Sequence, residues 1–246
     1  MDYLINQNIA NLCALWQSVG EAFGVYSSNK YFDSVLLNYS DWPNRLWFHQ
    51  QASEESVLPA KEVIRAHEKK VIIPYWNIYD ERSYSFLESQ GFEPVFQQIG
   101  MYLQLQEKFS VEHSLSIKKV KQAKDALLWE RLFYDCFAYQ IDQNLLLPQY
   151  KAPRFYIAYH YNQPVGTAIL HASNTETIGV HAMGIIPEMR RKGLAEALMQ
   201  HLLNQSITEG FKYASLQASA MGLGLYQKLG FKEHFRMTNY MLRQEL

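Results

Sequence analysis

Only two cysteines, Cys13 and Cys136, occur in 246 residues. Each lies in a stretch that reads as an amphipathic helix, so a disulfide framework is not expected and a reducing compartment fits. No stretch approaches the roughly 18 consecutive apolar residues of a membrane span, and Met1-Asp2-Tyr3-Leu4-Ile5-Asn6-Gln7 lacks the basic start of a signal peptide. A soluble, cytoplasmic protein without a membrane partner is the expectation. Excess charge is also missing: 23 Lys and Arg face 24 Asp and Glu, which argues against a nucleic-acid partner. The eight histidines include no His-x-x-x-His pair, so no metal is expected. There is no Gly-x-Ser-x-Gly elbow, and Gly222-Leu223-Gly224 fails as a dinucleotide fingerprint because Gln227 stands where a third glycine belongs.

What is present divides into two halves of opposite charge. Residues 1–110 hold 8 basic and 13 acidic residues, and residues 111–246 hold 15 and 11. In the first half, Asn8 to Phe23 has apolar groups at helical spacing, and Ser34 to Tyr39 and Arg45 to His49 read as short strands. Helix, strand and helix are expected over Glu55 to Lys70, Val71 to Tyr75 and Asp80 to Gln90, ending at Gly91-Phe92 before a closing strand pair. The second half also ends with a helix, Gly230-Phe231 and closing strands, which suggests the same architecture twice. Before that it reads as a strand at Leu115 to Val120 and a helix at Ala123 to Tyr139. A Pro-containing loop from Asp142 to Ala152, expected to border an acceptor site, leads to a hairpin over Arg154 to Ala172 and a strand over Thr177 to Ile186.

The second half is organised around Ile185-Ile186-Pro187-Glu188-Met189-Arg190-Arg191-Lys192-Gly193-Leu194-Ala195. A mostly β-branched or small stretch precedes it, and apolar groups at helical spacing follow to Leu203, so the segment reads as strand, basic turn and helix. The first N–H groups of such a helix have no intrahelical partner and sit at the positive end of its dipole, which makes an anion site. Small Gly193 and Ala195 let a pyrophosphate approach the backbone, and Arg190, Arg191 and Lys192 surround it with positive charge.

Arg-x-x-Gly-x-Ala at Arg190, Gly193 and Ala195, with Pro187 upstream, resembles the acyl-CoA-binding signature of the GNAT superfamily of N-acetyltransferases. Leu225-Tyr226-Gln227-Lys228-Leu229-Gly230-Phe231 is similar to the family's second signature. The resemblance covers about 130 residues from Leu115 onward. It implies an α/β (α+β) fold with a mixed, mostly antiparallel sheet flanked by helices. The expected division is a degenerate GNAT-like domain over 1–110, without a cofactor motif, and a catalytic domain over 111–246.

The resemblance further implies acetyl-CoA as cosubstrate. Its pyrophosphate would be held by Arg190, Arg191, Lys192, Gly193, Leu194 and Ala195, and its pantetheine arm paired with the backbone of Ile185 and Ile186. Ser219 stands seven residues before Tyr226, where many members carry Asn. Tyr226 would face the thioester sulfur as general acid, a phenol with pKa near 10 that is protonated at neutral pH. His181 is the expected general base, with water or Glu176 as competitors, and strand alternation predicts that His181, Met183 and Ile185 share one face. Direct transfer to an amine is expected, since neither cysteine lies in a motif. The acceptor is a small-molecule or peptide amine and the protein a monomer or homodimer. The alternatives are a non-catalytic acyl-CoA sensor and a transferase for a longer acyl-CoA.

Overall fold

The structure is a computed structural model that describes residues 3–111, 114–146 and 153–243. The chain begins with α1 (Tyr3–Ala22), which buries Asn8, Asn11, Leu12, Leu15, Trp16 and Val19 on one side. β1 (Tyr26–Ser28), β2 (Phe32–Val35) and β3 (Arg45–Phe48) form an antiparallel three-stranded sheet. Next come α2 (Glu54–Arg65), β4 (Ile73–Trp76), α3 (Glu81–Ser89) and β5 (Phe92–Gln104). The second half supplies β6 (Leu115–Lys119), α4 (Ala123–Phe137), β7 (Arg154–His160), β8 (Gln163–Ala172), β9 (Thr177–Ile185), α5 (Leu194–Thr208), β10 (Tyr213–Ala218), α6 (Leu223–Lys228) and β11 (Lys232–Leu242). Part of the expected acceptor loop, residues 147–152, lies outside the described residues.

Local chemistry accounts for the element ends. Asp80 accepts the Arg82 N–H at 2.8 Å and starts α3. Gly91 and Gly230, at φ 84° and 91°, end α3 and α6 in the left-handed region that a side chain would strain. Tyr161 and Asn162 both take positive φ, the twist that a two-residue hairpin between β7 and β8 demands. α6 starts three residues later than the sequence suggests, because Gly222 and Gly224 weaken its first turn and residues 220–222 form a turn instead. Each expected closing strand pair is one long strand, β5 or β11.

Eight strands form the main sheet in the order β4-β11-β5-β10-β9-β8-β7-β6, antiparallel throughout except at β9 and β10. The two closing strands interlock: β5, from the first half, lies between β10 and β11, and β11, from the second, lies between β4 and β5. β3 reaches β4 through a parallel bridge at Arg45 and Ile72, with α2 as the intervening crossover, just as α5 connects β9 to β10. One apolar cluster joins α1 and Trp47 to α4 and the adjoining sheet face; α5 and α6 cover the opposite face. The halves therefore share hydrogen bonds and a core, and the burial that stabilises one stabilises the other.

Candidate acyl-transfer site

β9 and β10 are hydrogen-bonded neighbours only where Thr177, Ile178 and Gly179 face Tyr213, Ala214 and Ser215. Beyond those pairs the two strands have no mutual register, so the β10-facing edge of β9 between Val180 and Gly184 carries no strand and suits another extended chain. A bulge lies on that same segment. Pairing with β8 slips between Thr167 and Ile169, Ala182 takes φ 47°, and Thr167 Oγ1 donates to Ala182 O at 3.1 Å. A non-glycine residue in that conformation costs of order 1–3 kcal/mol and persists where the surroundings enforce it, commonly at functional sites.

The bulge overturns one expectation. His181 and Ala182 face the α1 side, whereas Met183 and Ile185 pack with the α5 cluster, so these residues do not share a face. An extra residue in the strand breaks the period of two.

At the end of β9 the chain makes a 3-10 turn over Pro187–Met189 and enters α5 through Gly193, whose φ of 74° requires the freedom of glycine. None of the backbone N–H groups of residues 191–196 has a hydrogen-bond partner among the described residues. Arg191 and Lys192 are exposed beside them. Arg190 is placed differently: its Nε donates to Ile185 O at 3.0 Å and its Nη2 to Cys136 O at 3.1 Å. A guanidinium at the carbonyl end of α4 meets the negative end of that helix dipole, so Arg190 ties the turn to α4. The open amides, the left-handed entry and the exposed cations suit a diphosphate, and the unpaired stretch of the β9 edge suits its pantetheine extension.

The N-terminus of α2, the crossover helix between β3 and β4, has a different character. Ala52 N–H donates to Tyr75 Oη at 3.0 Å, Ser53 N–H to Ser56 Oγ at 2.9 Å, and Glu54 and Glu55 stand in the first turn. With two carboxylates in its first turn, that helix end disfavours an anion.

Tyr226 is 9% exposed, its ring edge-on to Phe231 at 5.8 Å and packed over Gly222, where a Cβ would come within 2.9 Å of the ring. The hydroxyl has no hydrogen-bond partner among the described residues, and burial pushes the phenol up to about 12. Lys228 and Glu196, 2.6 Å apart, join the helix of Tyr226, α6, to the first turn of α5. Ser219 is exposed before α6, its Oγ accepting from Gly222 N–H at 3.4 Å.

His181 lies in a polar cluster that the sequence does not announce. Asn11 gives its Nδ2 to His171 O at 3.0 Å and Ser173 Oγ at 3.3 Å, so its Oδ1 accepts from His181 Nε2–H at 3.0 Å. Asn8 accepts from Gln217 Nε2 at 2.6 Å and donates to Met101 O at 2.9 Å. Burial, then the neighbouring His171, pushes the His181 imidazole down to about 3, against a smaller opposing effect from Gln217. The traceable signal in the sequence is that Asn8 and Asn11 sit at helical spacing on the apolar face of α1. Glu176, the competing base, precedes β9 at the end opposite the anion turn and is held by Lys212 at 2.6 Å and Tyr3 at 3.0 Å.

The cysteines are free thiols; burial raises both, Cys136 to about 12. Among the described residues no group of three or more His, Cys, Asp or Glu could hold a metal, and no helix is long and apolar enough to cross a membrane.

Residues 124–231 match the family model described as the acetyltransferase (GNAT) family. The fold is similar to that of a GCN5-related N-acetyltransferase from Kribbella flavida, with a TM-score of 0.70, 16% identity and 97% of each chain covered. A GCN5-related N-acetyltransferase from Sphaerobacter thermophilus aligns with a TM-score of 0.61 and 14% identity over 88% of this chain and 78% of that one. A tandem GNAT protein from the clavulanic acid biosynthesis pathway aligns at 0.58 and 11% over 87% and 79%. The β9–α5 turn and Tyr226 thus lie within the stretch, residues 124–231, that matches the acetyltransferase (GNAT) family model.

Proposed function

We propose that the protein is an acetyl-CoA-dependent N-acetyltransferase that transfers the acetyl group directly to an amine. The observation that carries this reading is the juxtaposition of the unpaired amides at residues 191–196 with the open β9 edge. When bound there, acetyl-CoA supplies an activated thioester. The amides of Gly193 to Ala195, with Arg191 and Lys192, would hold the pyrophosphate; the backbone at Ile185 and Ile186 would align the arm; Ser219 would add a hydrogen bond. Arg190 keeps the turn in place.

The nitrogen of the acceptor sheds a proton and the leaving sulfur gains one. Tyr226 serves the sulfur as proton donor. Delivering a proton from a phenol near 12 to a thiolate whose acid lies near 8.5 is uphill by about 5 kcal/mol, so its hydrogen bond to the developing charge matters more than a completed transfer. An imidazole near 3 is a weak base for an amine, and in this reading His181 positions the bulge and α1 rather than accepting the acceptor's proton.

The first half, in this reading, is a second GNAT-like unit without an anion site. Its order of strands, crossover helix α2, short helix α3, Gly91-Phe92 and long β5 supports this, as does the acidic first turn of α2. Its α1 walls the acceptor side of β9. A screen of amine classes with acetyl-CoA, read by release of free CoA thiol, tests the proposal: release with at least one class is expected, and binding without release from any class would refute catalysis.

A further inference from the structure

Arg45 opens β3 and shares with Trp47 the face toward α1, while Leu46 and Phe48 pack into the opposite cluster. Its guanidinium lies 5.8 Å from the centroid of the Trp16 ring. Nη1 donates to Pro43 O at 3.3 Å and Asn44 O at 3.1 Å, and Nε and Nη2 have no hydrogen-bond partner among the described residues. Those two nitrogens form the side-on edge of the guanidinium, whose parallel N–H bonds match a carboxylate in bidentate geometry.

Among the described residues no carboxylate lies within ion-pair distance of the Arg45 guanidinium. Asp33, on the neighbouring strand, faces His49 at 3.0 Å; Asp41 is held by Lys69 at 2.9 Å and by Gln140 N–H at 3.0 Å. A partly buried cation loses hydration worth several kcal/mol unless an anion compensates, so a guanidinium without an acid calls for one from outside. Burial draws this side chain down to about 10, with Tyr139 opposing the shift.

Two paths of contact lead from Arg45 to the β9 bulge. Along α1, Trp16 lies five residues beyond Asn11, roughly 7.5 Å of helix axis, and Asn11 holds His181. Along α4, Phe137 stands 6.3 Å from Tyr139 and crowds Gly184, where a Cβ would come within 2.7 Å of its ring. Arg45 is therefore on the side of the sheet to which His181 points.

Resting on the acyl-transfer reading, we propose that Arg45 receives a carboxylate of the acceptor, so that the substrate is an amine carrying a carboxylate several bonds away. The side-chain amine of a free diamino acid and the N-terminus of a dipeptide both have this form. Trp16 and Tyr139 are the aromatic neighbours of the guanidinium that would receive the acid.

The test uses the full-length protein and matched acceptors: lysine against 1,5-diaminopentane, and a dipeptide against its C-terminal amide. The acid of each pair should have at least a tenfold higher kcat/KM, residing in KM. Arg45→Gln should reduce that ratio to within about twofold, and Arg45→Lys should retain part of it. Equal use of acid and counterpart by the native enzyme, or an Arg45→Gln change that lowers both alike, would overturn the proposal. Failure of the acyl-transfer reading is distinguishable, because it would show as no CoA release with any acceptor. In that event, calorimetric titration of the same pairs into CoA-saturated native and Arg45→Gln protein reads the carboxylate preference directly, and its absence would equally overturn the assignment.

Discussion

His181 Nε2 and Asn11 Oδ1, 170 positions apart in sequence, lie 3.0 Å apart and join the bulged strand of the second half to the first helix of the chain. The contact fixes the imidazole tautomer, and burial favours the neutral ring. The contact also brings the helix of one half against the β9 bulge of the other.

An acid-stability prediction follows from this burial. The native imidazoles are pushed down to about 3 for His181 and about 4 for His171, whereas an unfolded histidine titrates near 6.5. As pH falls through about 6.5 the unfolded chain takes up protons that the native one refuses, so stability is full above that pH and declines below it. Melting temperatures between pH 7.5 and 4.5 should fall, and the fall should be shallower in His181→Gln. An equal slope in the variant would count against a buried neutral His181.

Removing the Asn11 amide leaves His181 Nε2–H without its acceptor. Asn11→Ala should lower stability by about 1–3 kcal/mol, the cost of an unsatisfied buried donor. Urea denaturation measures it, and a change below about 0.5 kcal/mol would show that the contact is dispensable.

Tyr226→Phe removes one oxygen from a ring that stays packed on Gly222 and Phe231. Turnover should fall by about 10²- to 10⁴-fold with acetyl-CoA affinity within twofold. Unchanged turnover would exclude the hydroxyl from the reaction.

The interlocked closing strands predict how the chain divides. A fragment of residues 114–246 loses β5 from between β10 and β11, exposing two strand edges and one face of the core. It should be insoluble or lack a cooperative melting transition alone, and recover both when co-expressed with residues 1–113. A fragment that folds alone would show that β5 is not required.

The strand, turn and helix that carry the candidate site could be read from the sequence because they are local. Arg190, Gly193 and Ala195 announce the β9–α5 turn through spacing, and the helix of Tyr226 is marked by Gly230-Phe231. What escaped depends on contacts distant in sequence or on departures from ideal geometry. The Ala182 bulge reverses the facing expected for Met183 relative to His181, and nothing in a run of strand residues marks where an extra one is inserted. The guanidinium of Arg190 looks like a phosphate ligand until the Cys136 carbonyl, 54 residues away, is seen to hold it. The placement of β5 beside β10 is set by pairing across more than 100 residues, which periodicity does not encode.

Calorimetric titration of acetyl-CoA into the native protein and Gly193→Glu tests the central claim most directly. The variant puts a carboxylate at the unpaired amides, and a side chain at φ 74°. The account predicts 1:1 binding by the native protein and loss of at least a hundredfold in affinity in a variant that retains its fold by circular dichroism. Equal affinity would place the nucleotide elsewhere and contradict the account.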